Sequence, residues 1–148
     1  MFLVVALSCA GEQRHTDARH HPWFDATFEQ VFEAAVDAVK QRNHRVEASR
    51  TDATIKSAWQ QIGGARAVRS QDPDAARLFV RFDVSIVGTR PYEVRVVGHA
   101  SMWRVGSALP TPLEGADEPP WLAGRVDALR AAIYEGLRQY AVETEVRR

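Results

Sequence analysis

The sequence is poor in three features that would narrow its function at once: cysteine, net charge and long apolar runs. Its 148 residues include one cysteine, which excludes an internal disulfide framework and a cysteine-rich zinc site. Nineteen basic and nineteen acidic side chains cancel, so no bulk positive field exists to attract nucleic acid. The apolar run before Cys9 spans eight residues, whereas a transmembrane helix needs roughly 18.

What the sequence does contain is the composition of an ordinary globular domain. Hydrophobic residues make up 45% of the chain and charged residues 26%, which argues against intrinsic disorder. This length suits one compact domain that buries about 70% of its unfolded surface. No phosphate-binding, dinucleotide-binding, serine-hydrolase or zinc-protease motif occurs. We therefore expect no enzymatic activity, no cofactor and no metal.

The single cysteine lies in a recognisable context. The segment Ala6-Leu7-Ser8-Cys9 resembles the lipobox of bacterial lipoproteins, in which small residues precede a cysteine that is acylated and becomes the mature N-terminus. It departs from that pattern in Ala6, where leucine is usual. It also lacks the basic residue that precedes the apolar part of a signal peptide, which an upstream start codon would supply.

The segment after Cys9 supports a membrane anchor. Residues 9–22 are polar and without periodicity, which is typical of a tether. The alternative is that residues 2–8 form a buried first strand or helical turn and that Cys9 is an inert core thiol. The predicted organisation is a signal-like segment (residues 1–8), a lipidated cysteine with its tether (9–22), one folded domain (23–141) and a frayed tail (142–148).

Two amphipathic helices are predicted. The first has Thr27 as its N-cap, in a capping box with Gln30. It runs to about Arg42, where Asn43 is expected to close it in the left-handed conformation. The second follows Pro119 and Pro120, and its apolar residues form one helical stripe: Leu122, Val126, Leu129, Ile133, Leu137 and Tyr140.

Alternating apolar and polar residues between the helices predict strands. The predicted strands are residues 45–49, 53–61, 77–87 and 92–103. In the last two, the even-numbered side chains are apolar, and antiparallel partners must share a face. The numbers of paired residues must therefore sum to an even value, 178 or 180. The sum 178 is expected, because it places Asp83 opposite Arg95.

These elements predict an α+β fold, a two-layer sandwich. The sheet has one apolar face and the helices are amphipathic, so the apolar surfaces are buried best when both helices cover that face. The expected sheet is antiparallel with three or four strands. Trp59 and Trp121 are expected in the core, whereas Trp23 and Trp103 could cover a sheet edge or anchor a contact.

Two connections are long for ordered loops: residues 62–76 and 104–120. The hairpin of residues 77–87 and 92–103 brings both to the same end of the sheet. Loops that converge in this way make that end the candidate contact site. The alternative is that the two loops are mobile and have no function. The candidate contact residues are Arg66, Arg69, Glu114, Asp117 and Glu118.

The histidines give little indication of a metal site or a catalytic site. One group lies in the tether, where a flexible segment cannot fix metal ligands: His15, Asp17, His20 and His21. His99 lies on the polar face of its strand, two residues from Ser101, close to Arg81 or Arg95. A hydrolase using His99 and Ser101 would need a carboxylate to orient the imidazole, and the sequence alone identifies none.

The lipobox-like cysteine, the tether and the helix–strands–helix body together resemble a small bacterial envelope lipoprotein. The body, over residues 24–141, loosely resembles the helix-grip domains of the lipoprotein accessory to outer-membrane barrel assembly. This resemblance implies a diacylglycerol thioether and an amide-linked acyl chain on Cys9, and two or more chains give stable attachment. Ala10 after the cysteine implies the outer membrane, with the domain facing the periplasm.

The expected function is therefore a lipid-anchored, non-enzymatic interaction or accessory module with an envelope protein partner. Two alternatives remain open. One is a domain that holds a small apolar ligand between the helices and the sheet. The other is the hydrolase that uses His99 and Ser101. Fold analogy alone cannot decide among them.

Overall fold

The computed structural model describes residues 23–43, 45–62 and 76–142. Within these ranges it contains two α-helices, α1 (Phe28–Arg42) and α2 (Pro120–Leu137), and two short 3-10 turns at Gly115–Asp117 and Arg138–Tyr140. Eight strands form one sheet. They are β1 (Trp23–Phe24), β2 (Val46–Ser49), β3 (Thr54–Ser57), β4 (Gln60–Ile62), β5 (Ala76–Val87), β6 (Tyr92–Arg104), β7 (Thr111–Leu113) and β8 (Ala141–Val142).

The sheet is antiparallel throughout and has the order β2-β3-β5-β6-β1-β8. Beside this path, β4 pairs with β5 and β7 pairs with β6. The predicted α+β class with an antiparallel sheet and two helices is confirmed. The predicted three or four strands are wrong, because β1, β7 and β8 contain only two or three residues. Such segments are too short to show an alternation. β1 and β7 pair with the 13-residue β6, and β8 pairs with β1.

Helix α1 forms as the sequence predicts, with a complete capping box between Thr27 and Gln30. Its closing residue differs from the prediction. Asn43 has φ −144° and ψ 116°, which is extended and not left-handed. The reason is tertiary, because the Asn43 side chain donates a 2.7 Å hydrogen bond to the carbonyl oxygen of Ala58. The chain therefore passes directly from α1 towards β2 without a glycine-like turn.

Helix α2 buries the predicted stripe from Leu122 to Leu137. Tyr140 lies in the 3-10 turn that follows and not in the helix. The predicted frayed tail, residues 142–148, lies outside the described residues except for Val142. Ala141 and Val142 form β8, which pairs with Phe24 and Trp23 of β1, so the first and last described strands meet.

The register of the central hairpin differs from the expected one. Residues of β5 and β6 pair so that their numbers sum to 180, and Asp83 lies opposite Val97 rather than Arg95. A sum of 178 would have placed Val87 opposite Pro91, and proline has no N–H to donate to the ladder. In the observed register, Val87 pairs with Glu93, and the proline stays in the turn.

Both helices pack on the face of β5 and β6 that carries the even-numbered side chains, and they also pack against each other. At Gly98 of β6, α2 approaches the sheet closely. A Cβ atom at Gly98 would lie 2.6 Å from Cγ2 of Val126. The opposite face of the hairpin, which carries the odd-numbered side chains, has no helix from the described ranges over it. We call it the open face.

No helix among the described residues is both long and apolar enough to cross a membrane.

Candidate functional site

The open face carries a cleft of about 690 Å³ near the end of the hairpin where β5 begins and β6 ends. Its floor consists of side chains from these two strands: Phe79, Arg81, His99 and Ser101. One wall is Trp59, and the other is the chain around β7, from Leu109 to Leu113. Small-molecule sites commonly have volumes of about 300–1,000 Å³, so this cleft has the size of a ligand site.

Trp59 reaches the cleft because of a β-bulge. Lys56 pairs with Asp83, but Gln60 pairs with Val80, so three residues of one strand face two of the other. One extra residue reverses which face each later side chain occupies. The prediction that Trp59 lies in the core is therefore wrong. The Trp59 side chain lies on the open face and is 45% exposed.

Buried polar groups hold this bulge in place. The hydroxyl of Ser57 accepts a 2.9 Å hydrogen bond from the backbone N–H of Phe82, where the regular ladder is interrupted. The carbonyl of Ala58 accepts from the Asn43 side chain, and its N–H donates to the carbonyl of Arg45 at 2.9 Å. The bulge thus ties the end of α1 to the sheet, and a rigid backbone positions Trp59.

The floor contains a charged group of three residues. Nε of Arg81 lies 3.2 Å from Oδ1 of Asp83, and Nε2 of His99 lies 3.2 Å from Oδ2 of the same carboxylate. The Arg81 guanidinium carbon also lies 5.1 Å from the centroid of the Trp59 ring, a cation–π distance. Asp83 is the carboxylate beside His99 that the sequence alone did not identify. It lies diagonal to His99 in the observed register.

Ser101 lies next to this group on the floor and is 5% exposed. No hydrogen bond joins its hydroxyl to another residue in the described ranges, and none joins it to His99. Alternate residues of a strand stand roughly 7 Å apart, which is too far for direct proton transfer. The imidazole of His99 is engaged by Asp83 through Nε2. The floor therefore offers a hydroxyl group to a ligand and does not form an assembled catalytic triad.

The second wall is built by the connection between β6 and α2, which was predicted as a loop. It contains β7, in which Pro112 lies opposite Ser101 and Leu113 opposite Ala100. Proline suits this outer strand because no N–H is needed on its free edge. At the base of the connection, the Trp103 indole N–H donates a 3.1 Å hydrogen bond to the carbonyl of Ser107. Leu109 projects over the cleft and is 77% exposed.

The predicted contact residues divide into three groups. Glu114 and Glu118 line the cleft, on the side of the β7 wall. Asp117 lies between them in the 3-10 turn and does not line it. Arg66 and Arg69 lie outside the described residues. Ala76 pairs with Arg104, so the two long connections do start and end at the same end of the sheet.

The space between the helices and the sheet is small. Beneath α2 the described residues leave a cavity of about 10 Å³, bordered by Phe24, Val94, Val96, Arg130 and Ile133. One water molecule needs about this much space. The ligand-sized space in the described residues therefore lies on the open face, whereas the sequence suggested the layer between helices and sheet.

Two ion pairs outside the cleft shift the pKa values of their members. The Arg50 guanidinium donates hydrogen bonds to Glu29 and lowers the pKa of that carboxyl group. Hydrogen bonds to Glu93 raise the pKa of Arg95 above its usual range. Both pairs are exposed on at least one side, so their energetic effect is small. They stabilise surface geometry and do not belong to the cleft.

Cys9 and the tether group of His15, Asp17, His20 and His21 lie outside the described residues. Within the ranges 23–43, 45–62 and 76–142, no three His, Cys, Asp or Glu side chains are grouped so that they could hold a metal ion.

Comparison of the sequence with protein-family models and with curated proteins gives no match to either. The cleft must therefore be interpreted from its own chemistry.

Sequence reasoning missed Trp59, Phe79 and Asp83 as residues of the site or its supporting floor. Phe79 carried a usable signal, because it is the one aromatic side chain at an odd position of β5 and interrupts the polar run from Arg77 to Ser85. Asp83 was identifiable only with the correct register. Trp59 was not identifiable by alternation, since the bulge before β4 reverses the parity.

Proposed function

We propose that this chain is a non-enzymatic binding domain that holds a small, largely apolar ligand in the cleft of the open face. The observation that carries the proposal is a cleft of about 690 Å³ in which an aromatic wall and a proline-containing wall enclose a floor of Phe79 and three polar side chains. Apolar surface with a small number of placed polar groups is the usual composition of a ligand site. The domain serves as an accessory module of the bacterial envelope, attached through lipid on Cys9.

The walls support a preformed site. Trp59 is positioned by a bulge with buried hydrogen bonds, and β7 is held on β6 by strand pairing. Binding to a preformed site costs less ordering entropy than binding to a mobile surface. The exposed side chains of Trp59 and Leu109 lose contact with water when a ligand fills the space between them. Their burial is the main source of affinity.

The test is titration of the purified protein with N-phenyl-1-naphthylamine, a neutral probe that fluoresces in apolar surroundings. We expect saturable binding. Leu109→Ser should weaken binding by about tenfold to a hundredfold, because a leucine side chain that the ligand buries is worth about 1.5–3 kcal/mol. Val105→Ser is the matched control, since Val105 is an exposed apolar residue of the same connection but does not line the cleft.

Equal losses in the two variants, or no saturable binding, would reject the ligand cleft. The second outcome would favour docking of an envelope protein on the same face.

The membrane attachment rests on the lipobox-like segment before Cys9 and has its own test. Mass spectrometry of the chain isolated from bacterial membranes should detect a mature N-terminus at Cys9 that carries a diacylglycerol thioether and an amide-linked acyl chain. Separation of inner and outer membranes should place it with the outer membrane. The Cys9→Ser variant should lose the lipid. An unmodified residue 1 together with a free Cys9 thiol would reject the anchor.

A hydrolase using His99 and Ser101 is the second candidate, favoured by the contact between His99 and the Asp83 carboxylate. The missing hydrogen bond between His99 and Ser101 argues against it. The test is hydrolysis of p-nitrophenyl butyrate by the purified protein. This candidate requires turnover that falls at least about a hundredfold in His99→Ala, the usual size of general-base catalysis. Turnover that persists in this variant rejects the assignment.

A further inference from the structure

The charge balance of the cleft indicates what kind of polar group its ligand carries. Among the described residues that line the cleft, Arg81 is the only arginine or lysine, and Asp83 holds its guanidinium through two nitrogen–oxygen contacts of 3.2 Å. Side-chain exposures of 32% and 27% show that both partners are largely withdrawn from water. A carboxylate that engages a guanidinium through two contacts offsets its charge locally. Arg81 therefore offers little net positive charge to a ligand.

The acidic side chains of the cleft are not offset in the same way. Glu114 and Glu118 line the wall formed by the β7 connection. Neither carboxylate forms an ion pair with any side chain of the described ranges. With Arg81 offset by Asp83, the described residues give the cleft two carboxylates that form no ion pair, those of Glu114 and Glu118. A concave surface that carries charge of one sign raises the local concentration of the opposite sign.

The polar atoms of the floor are suited to the same kind of ligand. In the neutral form of His99 that donates Nε2–H to Asp83, the other ring nitrogen, Nδ1, is a hydrogen-bond acceptor. The Ser101 hydroxyl, which has no partner in the described ranges and is 5% exposed, also has acceptor lone pairs. An ammonium group has three N–H donors and no acceptor. It complements these acceptors and the two carboxylates together.

We propose that the ligand of the cleft is a cationic amine: an apolar body seated between Trp59 and Leu109, with a protonated nitrogen facing Glu114 and Glu118. This inference rests on the proposed binding function and adds the chemical class of the ligand. Exclusion of anionic ligands follows from the same charges, since a carboxylate or phosphate would meet two glutamates that form no ion pair with the described residues.

The experiment compares three eight-carbon probes that differ in their polar end: octylammonium, octanol and octanoate. Each is used to displace N-phenyl-1-naphthylamine from the full chain at neutral pH and low ionic strength. We expect octylammonium to bind about tenfold more tightly than octanol, and octanoate to bind most weakly. The advantage of octylammonium over octanol should shrink when the salt concentration is raised to 1 M, because exposed charges are then screened.

Substitutions test which residues cause the preference for octylammonium over octanol. The double variant Glu114→Gln with Glu118→Gln should reduce the affinity for octylammonium to that for octanol and leave the octanol affinity unchanged. Asp117→Asn is the matched control, since this acid lies in the same turn and does not line the cleft. It should keep at least half of the preference. An unchanged octanol affinity shows that the double variant is folded.

The outcomes separate the two proposals. If the neutral probe does not bind, the binding function fails and the ligand class fails with it. If the neutral probe binds and octylammonium has no advantage over octanol, the binding function stands and the cationic ligand is overturned. Tighter binding of octanoate would also overturn it, because the charge of Arg81 would then be available to the ligand.

Discussion

Arg81 packs against the ring of Trp59, with its guanidinium carbon 5.1 Å from the ring centroid. The two side chains share a face only because one extra residue interrupts the pairing of Lys56 with Asp83 and of Gln60 with Val80. Without that residue, the alternation of β3 would carry Trp59 beneath the helices. The bulge therefore places Trp59 where it forms one wall of the cleft. Bulges are frequently used to re-aim a side chain next to a functional site.

The first prediction concerns the bulge. Ser57→Ala removes the hydroxyl that accepts from the buried N–H of Phe82. An unsatisfied buried donor costs about 1–3 kcal/mol, and we expect a loss of this size in the free energy of unfolding measured with urea. Ser85→Ala is the control, because Ser85 forms no side-chain hydrogen bond with the described residues and should change stability by less than about 0.5 kcal/mol. Equal effects of the two substitutions would contradict the assigned role of Ser57.

The second prediction concerns the contact between β6 and α2. Gly98→Ala places a Cβ atom 2.6 Å from Val126 Cγ2 and 2.9 Å from Leu122 Cδ1. Overpacking of this kind destabilises by about 1–3 kcal/mol, and urea unfolding should show it. Gly124→Ala in α2 has no atom within 4 Å of the new Cβ. It should stabilise by about 0.5–1 kcal/mol through helix propensity. Changes of the same sign in both variants would show that α2 is not packed on Gly98.

The third prediction concerns the start of α1. Thr27 accepts a hydrogen bond from the Gln30 N–H, and its own N–H donates to the Gln30 side chain at 2.9 Å. Thr27→Ala should cost about 1 kcal/mol in thermal or urea unfolding, and Thr27→Ser should restore most of it. Thr89→Ala in the exposed hairpin turn serves as the control and should be close to neutral. A neutral Thr27→Ala would mean that the capping box contributes nothing to stability.

The fourth prediction concerns pH dependence. Arg50 lowers the pKa of Glu29, so in Arg50→Gln the Glu29 carboxyl should titrate at higher pH, as measured by NMR of its carboxyl carbon. A depressed folded-state pKa contributes stability above the unfolded pKa that is lost as pH falls through the folded value. The stability difference between the parent chain and Arg50→Gln should therefore be largest near neutral pH and shrink in acid.

A part of the Arg50→Gln effect should remain at low pH, because the Arg50 guanidinium also lies 4.8 Å from the centroid of the Phe32 ring. Arg42→Gln, at the far end of α1, is a control that should leave the Glu29 titration unchanged. An unaltered Glu29 midpoint in Arg50→Gln would refute the assigned cause of the shift.

Local patterns predicted the elements that are long enough to repeat. Helix α1, the buried stripe of α2 and the even-numbered core face of β5 and β6 all follow from periods of 3.6 or two residues. The same approach failed for β1, β7 and β8, because two or three residues contain no period. These strands exist only through their pairing with another strand: β1 and β7 with β6, and β8 with β1.

The sequence predicted the end of the sheet at which the cleft lies, but only some of the residues that form it. The convergence of two long connections at one end of the hairpin followed from strand order, and Glu114 and Glu118 line the cleft there. Trp59, Phe79 and Asp83 were missed, because their positions depend on the bulge and on the register. Neither is set by the residues of one strand, since both arise from how two strands meet.

The sequence by itself determined the class of the protein, its helices, and the lone Cys9 in a lipobox-like context, because these depend on composition and on neighbours along the chain. The tertiary structure decided which face of the sheet stays open. It also decided that Asp83 meets His99 and Arg81 rather than lying opposite Arg95, and that Trp59 lies outside the core. The physical reason is that a shift of one or two residues in pairing costs little locally and yet relocates every later side chain.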